Sequence, residues 1–245
     1  MGKIIAVVSG KGGTGKTTFT ANTSLALAAA GQRVLAMDCD ITLRNLDLAL
    51  GLSDRALMDF SDVLSGRCAL ADAAVVHPNY PTLSLLTAPM ADKPLDLSIA
   101  AIRRLAADIR AQYDWCLIDA PAGLGQGFRM AACMADQVIV ITTTDVSAMR
   151  DAQRTAMELS AFPSGTVHLV VGRVNRKVLR QLHTTIDDAI DTAGLPLIGV
   201  VPEDEDVPYC LNRGLVLRER NYYAARAYEN IAKRIMGQKT PLMKI

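Results

Sequence analysis

Gly10-Lys11-Gly12-Gly13-Thr14-Gly15-Lys16-Thr17-Thr18 lies between an apolar run, Ile4 to Val8, and a stretch of helical patterning, Phe19 to Ala30. A short buried strand that turns through glycines into a helix is the context of a phosphate-binding loop, and few folds accommodate it. Gly12, Gly13 and Gly15 let the backbone turn sharply and bring its N–H groups onto phosphate oxygens, while the helix start adds a partial positive charge. Gly10 opens the full G-x-x-x-x-G-K-[ST] pattern. In that pattern Lys16 reaches the β- and γ-phosphates, the Thr17 hydroxyl ligates Mg²⁺, and Thr14 and Thr18 belong to the same cradle.

Beyond the loop, short β-branched runs alternate with longer helical patterns. This predicts a doubly wound α/β fold, a mostly parallel sheet with helices on both faces. Strands are expected at 4–9, 33–38, 83–87, 115–119, 137–143, 167–174 and 197–201. Ile102, Leu105 and Ile109 are spaced as one helical stripe, as are Ile186, Ile190 and Ala193. Nothing resembles a linker, so a single domain over 1–237 and a short tail, 238–245, are expected.

The C-terminal strand ends of such a sheet gather beside the loop, which would bring Asp38, Asp119 and Thr143 together. Asp119 closes Trp115-Cys116-Leu117-Ile118 and fits the carboxylate that holds a Mg²⁺ shell opposite a phosphate loop. The glycine-rich segment Ala120 to Gly127 suits a loop that reorganises around a γ-phosphate. Asp38-Cys39-Asp40 sets two more carboxylates at a strand end.

Lys11 narrows the reading. K-G-G-T-G-K-T resembles the deviant Walker A motif of the MinD/ParA family of ATPases, whose signature lysine reaches across a dimer to the partner's nucleotide. The stretch Asp38 to Asp47, D-x-D-x-x-x-R-N-L-D, resembles the matching segment of the MinD branch, and Asp145 to Asp151 resembles the segment after the next strand. The resemblance runs from Lys3 to about Gly237. It implies ATP and Mg²⁺ as cofactors, an ATP-dependent homodimer, slow hydrolysis until a protein activator or cell-division regulator accelerates it, and a part in placing the division septum. It also implies roles. Lys11, Lys16 and Asp40 would be catalytic, with Asp40 orienting the attacking water, and Thr17, Asp38 and Asp119 would serve the metal. Asn175, in Arg173-Val174-Asn175-Arg176, would face adenine, with Pro202 and Glu203 closing the other side. Alignment of this kind is chemically sufficient, because phosphoryl transfer needs positioning and charge stabilisation more than covalent help.

The last helical pattern, Tyr222 to Met236, has Ala224, Tyr228, Ile231 and Ile235 at core spacing and matches the final core helix of the family. MinD-branch proteins usually add an amphipathic membrane-binding helix. Here 237–245 contains glycine and proline and is too short to form one, so membrane binding is not implied, although two copies of Leu242, Met243 and Ile245 in a dimer could give transient contact. A second class is a ParA-like factor that holds DNA nonspecifically through Arg213, Arg218, Arg220, Arg226, Lys233, Arg234, Lys239 and Lys244. A solvated helix face is favoured over it, and a net charge of +1 gives no polyelectrolyte character. A third class is a nucleotide-gated scaffold with little turnover.

Cys39, Cys68, Cys116, Cys133 and Cys210 contain no C-x-x-C pair and fit reduced thiols. Cys133, within Met130 to Ala135, is expected to be a buried structural residue of a helix packed on the sheet rather than an iron–sulfur ligand. Without a secretion signal or an apolar span of about 20 residues, a soluble cytoplasmic protein is expected.

Overall fold

A computed structural model describes residues 1–53, 55–90, 97–217 and 223–243. Eight strands form one sheet: β1 Lys3–Val8, β2 Val34–Asp38, β3 Val75–His77, β4 Tyr80–Leu86, β5 Trp115–Asp119, β6 Gln137–Thr142, β7 Val167–Val174 and β8 Leu197–Pro202. Their order is β3-β4-β2-β5-β1-β6-β7-β8, and every neighbouring pair is parallel except β3 with β4. All seven expected strands are present. The eighth, β3, is a three-residue strand folded back on β4 by His77-Pro78-Asn79, too short for its alternation to register as a strand.

Eleven helices are described: α1 Lys16–Ala29, α2 Leu46–Ala49, α3 Phe60–Leu64, α4 Leu70–Ala73, α5 Ile99–Gln112, α6 Gln126–Met134, α7 Val146–Glu158, α8 Arg176–Leu182, α9 Ile186–Ala193, α10 Asp206–Arg213 and α11 Tyr223–Ile235. They divide between the two faces of the sheet, and β1 shows how. Ile4, Ala6 and Val8 point into a core shared with α5, α6, α7 and α9, whereas Ile5 and Val7 point into a second core shared with α1 and α11. Both faces are dry. That is why the central strands read as continuous apolar runs instead of alternating ones.

The α1–α11 layer brackets the phosphate loop from behind. Phe19 meets Tyr228 edge-on at 6.1 Å, and Ala224, Tyr228, Ile231 and Ile235 are buried as their spacing predicts. Helix α11 approaches β8 so closely that a Cβ on Gly199 would overlap Ile231 Cγ1 and Cδ1. Gly199→Ala is therefore expected to destabilise by about 1–3 kcal/mol through overpacking. The check is the urea midpoint, which should fall at unchanged m-value.

Two expectations change. Cys133 is exposed, not buried: α6 turns Phe128, Ala131 and Met134 inward, and Cys133 sits off that i, i+3 stripe. Cys39, Cys116 and Cys210 are buried, Cys68 is half-buried, and all five thiols are free. The tail folds back on the domain. Arg234 donates to the carbonyls of Thr240 and Ile198, and Met243 packs against the α1–α11 core. Met243 is thus not free to join Leu242 on a membrane, and Ile245 lies outside the described residues. Arg234 likewise serves backbone carbonyls, whereas Arg213, over the Tyr209 ring, remains exposed together with Arg226, Lys233 and Lys239 of the basic set. Arg218, Arg220 and Lys244 lie outside the described residues. Among the described residues, no helix is long and apolar enough to cross a membrane.

Candidate functional site

The loop between β1 and α1 is held open by its glycines. Gly13 and Gly15 adopt φ of 76° and 95°, and Cβ atoms built on Gly12, Gly13 or Gly15 would meet nothing within 4 Å. The concavity is therefore bounded by backbone, as a phosphate cradle must be. Gly10 is required for a different reason: α7 approaches so closely that a Cβ there would lie 2.6 Å from the Asp151 carbonyl. Thr14 is buried, and Thr18 stands on the first turn of α1. Helix α1 starts at Lys16, three residues before its apolar pattern begins, because the loop turns directly into the helix.

Lys16 is only 8 % exposed and donates to Ser9 Oγ at 3.0 Å, while Ser9 Oγ donates to the Lys11 carbonyl at 2.6 Å. Burial pulls the Lys16 pKa down, and the carboxylates of Asp119 and Asp40 pull it back up. The ammonium is poised beneath the cradle and needs anions to balance its desolvation.

Strands β2, β5 and β1 are neighbours in register, with Asp38 opposite Asp119 and Asp119 opposite Val7. This delivers both carboxylates to the mouth of the loop, as expected. Asp119 accepts from the Thr17 hydroxyl at 2.6 Å, and Thr20 lies 3.4 Å from its other oxygen. Asp38 accepts from the backbone N–H groups of Asp40 at 2.8 Å and Leu46 at 3.1 Å, so it shapes the whole 38–46 loop. Burial, then the charge of Asp119, raises the Asp38 pKa to about 7. Burial raises Asp119 to about 6 against the opposing pull of Thr17 and Lys16. Two desolvated carboxylates beside a threonine hydroxyl form a hard-oxygen donor set that fits a Mg²⁺ ion. Among the described residues no group of three or more His, Cys, Asp or Glu could hold a metal alone, so such an ion would take other oxygens from phosphate and water. Asp40 is half-buried on the same rim and accepts from the N–H groups of Thr42 and Leu43, both at 3.1 Å.

Lys11 does not enter its own cradle. Its ammonium is exposed and donates to Ser147 Oγ in the first turn of α7 at 3.0 Å. On the far side, Pro202 ends β8 and Glu203 continues the pairing, its N–H donating to the Val174 carbonyl at 3.0 Å. Asn175 Nδ2 donates to Glu203 Oε2 at 3.0 Å, so the structure joins these two expected base contacts. The oxygen of Asn175, however, caps α8 by accepting from Lys177 N–H at 2.9 Å. Only the amide N–H side and Glu203 remain for a base edge.

Ser9, Thr20, Ser147 and Arg173 were not assigned roles by sequence reasoning. Thr20 was within reach of it, lying one helical turn beyond Lys16 on the face of Thr17. Ser147 and Arg173 are brought in by tertiary contacts that no local pattern encodes.

The description "CobQ/CobB/MinD/ParA nucleotide binding domain" belongs to the family model that matches residues 5–217. The septum site-determining protein MinD of Synechocystis is 38 % identical over 247 residues, covering 99 % of this chain and 92 % of that protein. MinD in the Aquifex aeolicus MinC:MinD cell division protein complex superposes with a TM-score of 0.90 at 34 % identity, covering 99 % of this chain and 98 % of that one. The septum site-determining protein MinD from Pyrococcus horikoshii, solved with Mg-ADP, superposes with a TM-score of 0.81 at 29 % identity over 96 % of both chains. On these likenesses the chain belongs to the CobQ/CobB/MinD/ParA nucleotide-binding family, in its MinD group.

Proposed function

We propose that this chain is a Mg·ATP-dependent switch ATPase of cell division. It dimerises face to face when ATP is bound, turns over slowly alone, and is accelerated by a protein partner. The observation that carries the reading is the constellation of buried Lys16, Asp38 and Asp119 with half-buried Thr17 around an open, glycine-walled cradle. The solved Mg-ADP complex of the Pyrococcus protein and the MinC:MinD assembly support the nucleotide and the class of partner.

Each residue has a physical task. The loop N–H groups and Lys16 hold the triphosphate, and Thr17, Asp38 and Asp119 hold Mg²⁺ directly or through water. An ion held by these residues would supply positive charge against the developing phosphate charge. Asp40, fixed by its own loop amides, is placed to orient a water rather than to take its proton. Asn175, Pro202 and Glu203 wall the base. Lys11 supplies the switch: ATP can favour the dimer only by binding it more tightly than the monomer, and a cation directed at a neighbour's phosphates provides that difference.

Size-exclusion chromatography with light scattering tests this. Wild type is expected to be monomeric with Mg·ADP and dimeric with a nonhydrolysable Mg·ATP analogue, and Lys11→Ala monomeric with both. A wild type that stays monomeric under both conditions sinks the switch. A dimer that forms equally well in Lys11→Ala would remove Lys11 from it.

A further inference from the structure

At the C-terminal end of β7, Arg173 adopts φ of 52°, a left-handed conformation rarely kept by a residue with a side chain unless its contacts hold it there. Its guanidinium makes two such contacts. Nη1 donates to the Gly13 carbonyl of the phosphate loop at 3.3 Å, and Nη2 donates to Glu203 Oε1 at 3.4 Å. The other Glu203 oxygen accepts from Asn175, whose own oxygen caps α8. One side chain therefore ties together the phosphate loop, the end of β8 and the β7–α8 turn, three segments far apart in sequence.

We propose that Arg173 is a positioning residue that sets the spacing between the phosphate loop and the base-side wall, and so contributes to the choice of base. The inference rests on the preceding reading, in which the nucleotide base lies against Asn175, Pro202 and Glu203. The contacts are exposed, with side-chain accessibilities of 60 % for Arg173 and 43 % for Glu203, so the ion pair contributes little to stability. Its consequence is geometric. A planar guanidinium can donate to two acceptors in fixed directions, which a lysine ammonium cannot reproduce. Donation to the Gly13 carbonyl also polarises the peptide unit whose N–H belongs to Thr14, strengthening one donor of the cradle. Next to it, Gly172 lies against the loop: a Cβ there would be in ordinary contact with the Thr14 carbonyl at 3.4 Å. The base wall and the loop are thus in contact at two consecutive residues.

The test uses the full chain with Arg173→Gly and Arg173→Lys. Glycine suits the positive φ, so it removes the guanidinium without straining the backbone. Affinities for Mg·ADP, Mg·GDP and magnesium pyrophosphate are measured by calorimetry. In Arg173→Gly, ADP affinity is expected to fall about tenfold and the preference for ADP over GDP by a similar factor, with pyrophosphate affinity falling about threefold or less. Arg173→Lys is expected to restore pyrophosphate binding but not the preference for ADP. In turnover, the KM for ATP should rise about tenfold in Arg173→Gly while kcat stays within about twofold. Equal losses for ADP and pyrophosphate, or ADP binding and base preference unchanged from wild type, would overturn the inference. Failure of the wild type to bind Mg·ADP would instead overturn the nucleotide reading beneath it.

Discussion

Lys16→Ala is expected to lower phosphate release from Mg·ATP by about a thousandfold or more, the largest single effect in the chain. The magnitude follows from the site's construction. A charge preorganised in a water-poor site stabilises developing phosphate charge by about 3–4 kcal/mol or more, because it needs no reorganisation at the moment of transfer. Lys16 meets that condition: it is almost fully buried and held by Ser9. Lys11 cannot substitute within the same chain, since its ammonium is turned outward to Ser147. Lys16→Arg is expected to rescue poorly, because a broad guanidinium needs space that a nearly inaccessible ammonium does not. Phosphate release at saturating Mg·ATP, alongside a direct binding measurement, provides the check. Retention of more than about a tenth of wild-type turnover by Lys16→Ala would remove Lys16 from the chemistry.

The parts of this site that were legible in the sequence are those fixed by local backbone geometry. Gly13 and Gly15 must be glycine because their φ values are positive, and the strand–loop–helix order around them leaves one architecture. Asp38 and Asp119 could be placed together because each ends a strand, and adjacent parallel strands end at the same edge. Legibility fails where side chains answer to distant elements. Cys133 looked internal because its neighbours are apolar, yet the orientation of α6 is set by Phe128, Ala131 and Met134, which turn it outward. Asn175 offered an amide for a base, but its oxygen is taken by the helix it begins. The Arg173 contacts depend on β7 lying beside the phosphate loop, a proximity created by a sheet order that no motif states.

The same buried carboxylates predict that the nucleotide-free protein loses stability as pH rises, opposite to the usual behaviour of ion-paired acids. Asp38 and Asp119 have folded-state pKa values of about 7 and about 6, both above the ordinary 3.8. Between those limits the folded chain binds more protons than the unfolded one, so the stability from these groups is complete below about pH 4 and is lost progressively from there up to about pH 7. At about 1.4 kcal/mol per unit, the two shifts bound the loss at about 7 kcal/mol. Most of that loss lies below pH 5.5, and mutual repulsion, which contributes to the Asp38 shift, is relieved when either acid is protonated, so a fall of about 2 kcal/mol between pH 5.5 and 8.5 is expected. Urea midpoints over this range measure it. Asp119→Asn should reduce the fall, since it deletes one buried charge and the neighbour whose charge adds to the Asp38 shift, while burial keeps the rest of that shift and the amide oxygen still accepts from Thr17. Mg·ADP should act in the opposite sense, stabilising more at pH 8.5 than at pH 5.5, because the ion requires ionised carboxylates. A nucleotide-free midpoint that rises with pH across the window would mean that these acids are already ionised at little cost. The cradle would then lack the unbalanced charge on which its affinity for Mg²⁺ depends.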